Sequence, residues 1–303
     1  MSDLTAFRQP LPGVLRIEPA SACNFKCIHC PTGLGMNPDT GIMTEETFSG
    51  ILSRIKHLQF RVIVLYHGGE PLLNPRFAEM IKRVRPYTKF IKTVTNGSIL
   101  TQRRIDEILA SDLDLIEVSI DGDSPEENDQ IRKNAKCEKI ITAVKAIIDT
   151  KRRLGLDRPK VNIGNVRIPG SNTNTNLPPD VPEFLKKAFV GYEQDIMFRM
   201  YYALVWANMI GSENKIPENN YCDNVVNTIT VRHNGDVVPC CYDLTSSMVM
   251  GNLLTESLES IWNNDRYLKL RAAIANFQPP APCQNCLVLY PSRHLKSSEI
   301  SLV

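Results

Sequence analysis

The sequence predicts an α/β protein: a partial (β/α)6 barrel, open because it has six units where a closed barrel has eight, followed by a small cysteine-bearing C-terminal domain. Three observations carry this expectation. Between residues 14 and about 200, short apolar runs alternate six times with amphipathic stretches. Cys23, Cys27 and Cys30 directly follow the first apolar run, where parallel α/β folds place their chemistry. Beyond residue 212 the texture changes to short strands and a second group of cysteines. The expected domains are an extension at 1–13, the barrel at 14–211, the cysteine domain at 212–290 and a tail at 291–303, with the boundary near Gly211.

The first strand is Val14-Leu15-Arg16-Ile17-Glu18. A helix follows at 44–58, with Thr44 as N-cap and Glu45 to Thr47 in its first turn. Strands at 61–66, 90–95, 114–119, 160–167 and 195–201 then alternate with helices at 74–85, 101–110, 138–154 and 181–190. Residues 169–182, rich in Asn, Thr and Pro, lack apolar periodicity and read as a loop, either a substrate lid or a plain connection. Strands at 228–232 and 236–239 flank Asn234-Gly235, a strong hairpin signal, and a helix covers 258–275.

With 303 residues, 43% of them apolar and 22% charged, the chain can bury a sizeable core. A formal net charge of +2 with interspersed signs argues for neither a nucleic-acid face nor a membrane surface. Apolar runs such as 201–206 are too short to span a bilayer, and the N-terminus lacks a basic region followed by an apolar core. The expected location is therefore cytoplasmic. There, the clustered members of the nine cysteines read as metal ligands rather than disulfides.

Three thiols spaced x3 and x2 can hold three irons of a 4Fe–4S cube, which normally takes four thiolates. One iron stays open to chelate a small molecule and pass it an electron. His67-Gly68-Gly69-Glu70-Pro71 follows the second strand, and its two glycines let backbone approach a ligand while amides and a carboxylate suit an ammonium. Thr95-Asn96-Gly97 and Ser119-Ile120-Asp121-Gly122 end the next two strands, where both plain turns and ligand contacts fit. Cys222, Cys240, Cys283 and Cys286 form a full set of four thiols, suited to either zinc or an iron–sulfur cluster. Cys137 reads as a small buried residue. Cys241, next to a proposed ligand, is free to face a substrate and donate a hydrogen atom. Arg167, Arg199, Tyr201 and Tyr202, at strand ends, are the candidates for acid–base work.

The cysteine triplet together with Gly68-Gly69-Glu70-Pro71 resembles the radical S-adenosylmethionine (SAM) superfamily, over about residues 14–200. Cys222-x12-Gly235-x4-Cys240 with Cys283-x2-Cys286 resembles its SPASM/twitch group over about 215–290, in the shorter twitch form because the further SPASM cysteines are absent. The resemblance implies a TIM-like partial barrel, SAM at the open iron, and two 4Fe–4S clusters, the second on Cys222, Cys240, Cys283 and Cys286. It implies that Gly68, Gly69, Glu70 and Pro71 contact the SAM amino group and that His29 lies beside the adenine. Thr95, Asn96, Ser119 and Asp121 would then make ribose and methionine contacts. Asn165 and Arg167 fall near where the family often makes further SAM or substrate contacts, although the usual glycine and glutamate pattern is incomplete here.

The activity so implied is a radical SAM oxidoreductase. SAM is cleaved reductively, the 5′-deoxyadenosyl radical takes a substrate hydrogen, and the auxiliary cluster oxidises the substrate radical. Epimerisation with Cys241 as hydrogen donor, peptide crosslinking and sulfatase maturation are the other outcomes found in the group. The expected partners are a small-molecule or peptide substrate and an external one-electron donor such as flavodoxin or ferredoxin. The stretch before residue 14 is too short for a leader-peptide-binding domain, which favours a small carbohydrate-like substrate or a peptide recognised without a leader. A binding protein stabilised by two zinc sites is the alternative from a different class.

Overall fold

The computed structural model describes residues 4–170, 173–206, 216–291, 294–295 and 297–300. Strand β1 (Val14–Ile17) leads into a two-residue strand, β2 (Lys26–Cys27), and then α1 (Glu45–Ile55), whose N-cap Thr44 accepts a hydrogen bond from the Thr47 amide. There follow β3 (Val62–Val64), α2 (Phe77–Val84), β4 (Ile91–Thr95), α3 (Gln102–Leu109) and β5 (Leu115–Ser119). Next come α4 (Pro125–Ile131), β6 (Arg132–Lys133), α5 (Cys137–Leu154), β7 (Lys160–Arg167), α6 (Glu183–Ala188) and β8 (Ile196–Tyr202). Strands β1, β3, β4, β5, β7 and β8 pair in parallel in that order, so each strand–helix unit lies beside the next. This is the expected partial barrel.

Alternate strand residues face the helices. Leu15, Ile17, Ile63, Ile116, Val118, Val161 and Ile163 are buried there in one core with Phe48, Ile51 and Ile55 of α1 and Ile140, Val144 and Ile148 of α5. The other face carries Arg16, Lys92, Glu117 and Ser119, polar residues that a closed core would not tolerate. Helix α5 stops at Gly155, whose left-handed backbone (φ 64°) lets the amides of Gly155 and Leu156 close on the carbonyls of Arg152 and Lys151.

The C-terminal part continues the same sheet. Helix α7 (Asp223–Asn227) delivers β9 (Thr228–Val231), which pairs in parallel with β1 on the side away from β3. A turn at Asn234-Gly235, with Gly235 at φ 89°, reverses the chain into β10 (Asp236–Val238), and β11 (Gly251–Asn252) completes a nine-stranded sheet. The expected boundary at Gly211 lies outside the described residues. Of the tail, Leu295 donates its amide to the Ala203 carbonyl at the end of β8 (2.9 Å). Among the described residues no helix is long and apolar enough to cross a membrane.

The single helix expected at 258–275 is two, α8 (Leu258–Trp262) and α9 (Asp265–Ala275). Asn264 breaks it by capping α9, accepting from the Tyr267 amide at 3.1 Å. Asn263 is pulled the other way, exchanging 2.9 Å hydrogen bonds with the backbone of Gln9. The sequence reading also passes over α4 and the β2–β6 ribbon. That ribbon pairs Lys26 with Lys133 and Cys27 with Arg132, and no local periodicity announces so distant a pairing.

Candidate active site

Glu18, the residue after β1, organises the floor of the site. Its carboxylate is fully buried and accepts from the Gly68 amide (2.9 Å) and the His233 amide (3.1 Å), with His67 Nδ1 at 3.0 Å and Arg232 Nε at 3.3 Å. Burial pushes its pKa up, but the hydrogen bonds of His233 and His67 outweigh that and hold it well below the usual carboxylate range. A depressed pKa means that acid protonates the unfolded chain first, so Glu18 stabilises the fold above the ordinary carboxylate range and that contribution is lost as pH falls below it. The urea midpoint should therefore drop between about pH 5 and pH 3, and Glu18→Gln should flatten that dependence.

The His67–Glu70 loop lies directly on the segment that follows β1. A Cβ on Gly69 would sit 2.3 Å from the Ala22 carbonyl oxygen and 2.5 Å from that of Ala20, contacts only glycine escapes. Glu70 is buried and accepts from Thr95 Oγ1 (2.7 Å), the Asn96 amide (2.7 Å) and the Leu72 amide (3.0 Å). Burial raises its pKa against these bonds. Asn96 in turn reaches the cysteine loop, donating to Asn24 Oδ1 at 2.9 Å and to Cys23 Sγ at 3.9 Å. The expected GGEP, Thr95 and Asn96 residues thus form one connected shelf beside the triplet. If the shelf meets SAM as the resemblance implies, Gly69→Ala should displace it and weaken SAM binding by about tenfold in equilibrium dialysis, with little change in iron content.

Cys27 is pinned by the β2–β6 ribbon, and Cys30 donates its amide to the Cys27 carbonyl at 3.2 Å. Gly33 packs against the same backbone, since a Cβ there would lie 2.4 Å from the Cys27 oxygen. Burial raises all three thiol pKa values, that of Cys27 to about 12. Such thiols lose their protons to a metal rather than to water, and three thiols of one loop that lie in one another's field suit a cube with one open corner. Arg132, on β6, lies within the field of Cys23 and Cys27 and donates from Nη1 to Asp121 Oδ2 at 2.8 Å. The other Asp121 oxygen accepts from the Val166 amide at 2.9 Å.

A cavity of about 560 Å³ opens at the C-terminal ends of β3, β4, β5, β7 and β8. Of the residues singled out in the sequence, His29, Ser119, Asp121, Tyr201, Tyr202 and Cys241 line it. His29 is buried, which lowers its pKa, and its carbonyl accepts from Trp206 Nε1 at 2.8 Å. Three others lie elsewhere. Asn165 is buried beneath the loop after β5, where Nδ2 donates to the Ile120 and Gly122 carbonyls at 2.8 Å each. Arg167 turns into an outer cleft with Asp123 and Asp180. Arg199 stands just below the cavity, 3.4 Å from Glu117 Oε2, which crosses β7 over Gly164 to meet it. Sequence reasoning missed Arg132, Tyr66, Glu117, Trp206 and Tyr242 in the lining. Period-2 counting along β5 would have found Glu117, two residues before Ser119 on the same face. Arg132 has no such signal, because its ribbon partner is remote.

Cys222 precedes α7, the Cys240–Cys241 pair follows β10, and Cys283 and Cys286 share one turn, with the Cys286 amide donating to the Cys283 carbonyl at 3.3 Å. Burial raises Cys222, Cys283 and Cys286, the last to about 12. Cys240 is raised chiefly by sharing a hydrogen bond with Cys241, which is lowered by that bond and by Arg16. Cys240, Cys222 and Cys286 lie in one another's field, and Cys241, Tyr242 and Leu287 form the wall between this set and the cavity. Cys137 is buried at the start of α5 with its thiol pushed up to about 12, consistent with a packing role.

A three-cysteine loop after the first strand and a second thiol set, which lend His29 and Cys241 to the lining of one cavity, are together suited to an iron–sulfur enzyme. Residues 17–172 match the radical SAM superfamily and residues 222–287 match SPASM, an iron–sulfur cluster-binding domain; the chain belongs to the radical SAM superfamily. It is a radical SAM enzyme, using SAM and iron–sulfur chemistry, so the non-catalytic zinc alternative falls. Among its relatives is the S-adenosyl-L-methionine-dependent 2-deoxy-scyllo-inosamine dehydrogenase of Niallia circulans, 23% identical over 287 residues, covering 90% of this chain and 92% of that one. Another is the tungsten-containing aldehyde ferredoxin oxidoreductase cofactor-modifying protein of Pyrococcus furiosus, 24% identical over 330 residues (94% and 90%). In fold the chain is similar to BtrN in complex with AdoMet and 2-DOIA, with a TM-score of 0.60, 20% identity and coverage of 92% and 94%. It is likewise similar to anSMEcpe with bound AdoMet, with a TM-score of 0.61, 17% identity and coverage of 85% and 79%.

Proposed function

We propose that this enzyme oxidises a small, polyol-like molecule by two electrons, and that residues 14–211 bind SAM while residues 212–290 hold an auxiliary 4Fe–4S cluster on Cys222, Cys240, Cys283 and Cys286. The observation that carries the reading is the shared cavity: His29, from the triplet loop, and Cys241, Tyr242 and Leu287, from the second thiol set, line the same space. Similarity over nine-tenths of both chains to a SAM-dependent dehydrogenase of a cyclic amino alcohol supports it.

Cys23, Cys27 and Cys30 would hold the first cluster. When bound, the cluster and SAM together supply a 5′-deoxyadenosyl radical that removes a hydrogen atom from the substrate. Gly68, Gly69 and the Glu70 shelf present backbone to the methionine amino group. Arg132, lining the cavity beside that shelf, offers a guanidinium to the methionine carboxylate, a bidentate match. Asp121 orients Arg132, and His29 walls the adenine side. Once hydrogen is abstracted, the substrate must lose one electron and one proton. The thiol wall lies towards the second cluster for the electron. Glu117 accepts the hydroxyl proton, with Arg199 holding its carboxylate in place and Tyr201 beside it. Flavodoxin or ferredoxin would supply the initial electron.

One observation favours a second reading, epimerisation: Cys241 itself faces the cavity, where a thiol can return a hydrogen atom. The test is to supply candidate cyclic amino alcohols and polyols in D2O to the anaerobically reconstituted enzyme. A ketone formed one-to-one with 5′-deoxyadenosine supports oxidation. A carbon-bound deuterium in a product of unchanged oxidation state, lost in Cys241→Ala, supports epimerisation and overturns the first reading.

A further inference from the structure

Arg16 lies in the middle of β1, on the face opposite its helix-packed neighbours Leu15 and Ile17. It is only 7% exposed, and neither Nε nor Nη1 has a hydrogen-bond partner. Among the described residues no carboxylate comes within ion-pair distance of it. Its guanidinium carbon stands 5.5 Å from the centre of the Tyr66 ring, Tyr66 shares a side-chain hydrogen bond with it, and the Cys241 and Cys240 thiols lie within its field. Register explains the approach. Arg16 pairs with Thr230 on β9, and Thr230 pairs with Val238 on β10, two residues before Cys240. That register puts Arg16, Thr230 and Val238 side by side across the sheet, and the chain leaves β10 at Val238 just before the Cys240–Cys241 pair. Thr230 is also fully buried, with Oγ1 lacking a partner.

A buried cation without a carboxylate is costly unless another anion compensates it. Thiolate-ligated iron–sulfur clusters are anionic, and their sulfurs accept hydrogen bonds. We infer that Arg16 donates from Nε and Nη1 to the sulfurs at the Cys240 corner of the auxiliary cluster, and so raises the cluster's reduction potential. The inference rests on the reading that a second cluster is bound there. Adding one electron to the cluster makes it more negative, and a fixed positive charge with two N–H donors favours that state without any proton moving. A residue of the barrel's first strand thus tunes the electron acceptor of the second domain. It does so at the wall through which the substrate's electron leaves, because Tyr66 and Cys241 border the same cavity.

The test is a potentiometric titration followed by electron paramagnetic resonance, in a Cys23→Ala/Cys27→Ala/Cys30→Ala background that retains the auxiliary site alone. Arg16→Gln should shift the midpoint to lower potential at unchanged iron content. Arg16→Lys, which keeps the charge but not the paired donors, should fall between Arg16→Gln and the Arg16 background. Should Arg16→Gln fail to assemble its cluster, Arg16→Lys decides alone: a lower midpoint supports the role and an unchanged one overturns it. Midpoints that coincide in all three proteins also overturn it while leaving the second cluster intact. A background variant that binds no iron overturns the second cluster itself, and the Arg16 role with it.

Discussion

Replacing any one of Cys23, Cys27 or Cys30 with Ala should reduce 5′-deoxyadenosine formation to background and lower the iron content by about four per chain, while leaving the auxiliary site loaded. The effect is large because the three thiols act as a unit: two cannot hold a cube whose fourth corner is already given to a ligand. The β2–β6 ribbon and the Gly33 contact fix the loop through backbone, so the fold should survive the loss of one sulfur. Iron and sulfide assays together with chromatographic quantification of 5′-deoxyadenosine check both halves. Loss of all iron would mean that the two sites assemble cooperatively.

Arg132→Met should be nearly as severe, for two separable reasons. Asp121 is fully buried and would lose its guanidinium partner, which costs about 3–5 kcal/mol of stability. The SAM carboxylate would lose a charge-assisted pair, weakening binding by about tenfold to a hundredfold. Adding Asp121→Asn should restore much of the stability, since no buried charge remains, but not the affinity. Urea unfolding reads the first quantity and equilibrium dialysis of SAM the second. Parallel recovery of both in the double variant would assign Arg132 to architecture alone.

What the sequence revealed was whatever depends on short spacing. The triplet, the Gly68-Gly69-Glu70-Pro71 turn and the alternation of six strands and helices are local signals, and they place the three-cysteine loop and most of the Glu70 shelf beside it. Residues set by remote pairing were not legible. Arg132 reaches the site because a two-residue ribbon joins it to Cys27, and Arg16 comes beside the end of β10, just before Cys240, through the pairing of three strands. Arg167 shows the converse, since a strand-end arginine could equally face the cavity or the outer surface, and Asp123 and the Asp180 carbonyl draw it outward. The long helix expected at 258–275 failed because Asn263 and Asn264 compete for backbone, a local signal that apolar periodicity overrides.

Most direct for the account as a whole is an anaerobic incubation of iron-loaded, dithionite-reduced enzyme with SAM, followed by quantification of 5′-deoxyadenosine and methionine. The account predicts that wild type forms both in equal amounts and that a Cys283→Ala/Cys286→Ala variant still forms them, because the second thiol set acts only after SAM is cleaved. Wild-type protein carrying its full complement of iron yet yielding no 5′-deoxyadenosine would contradict it.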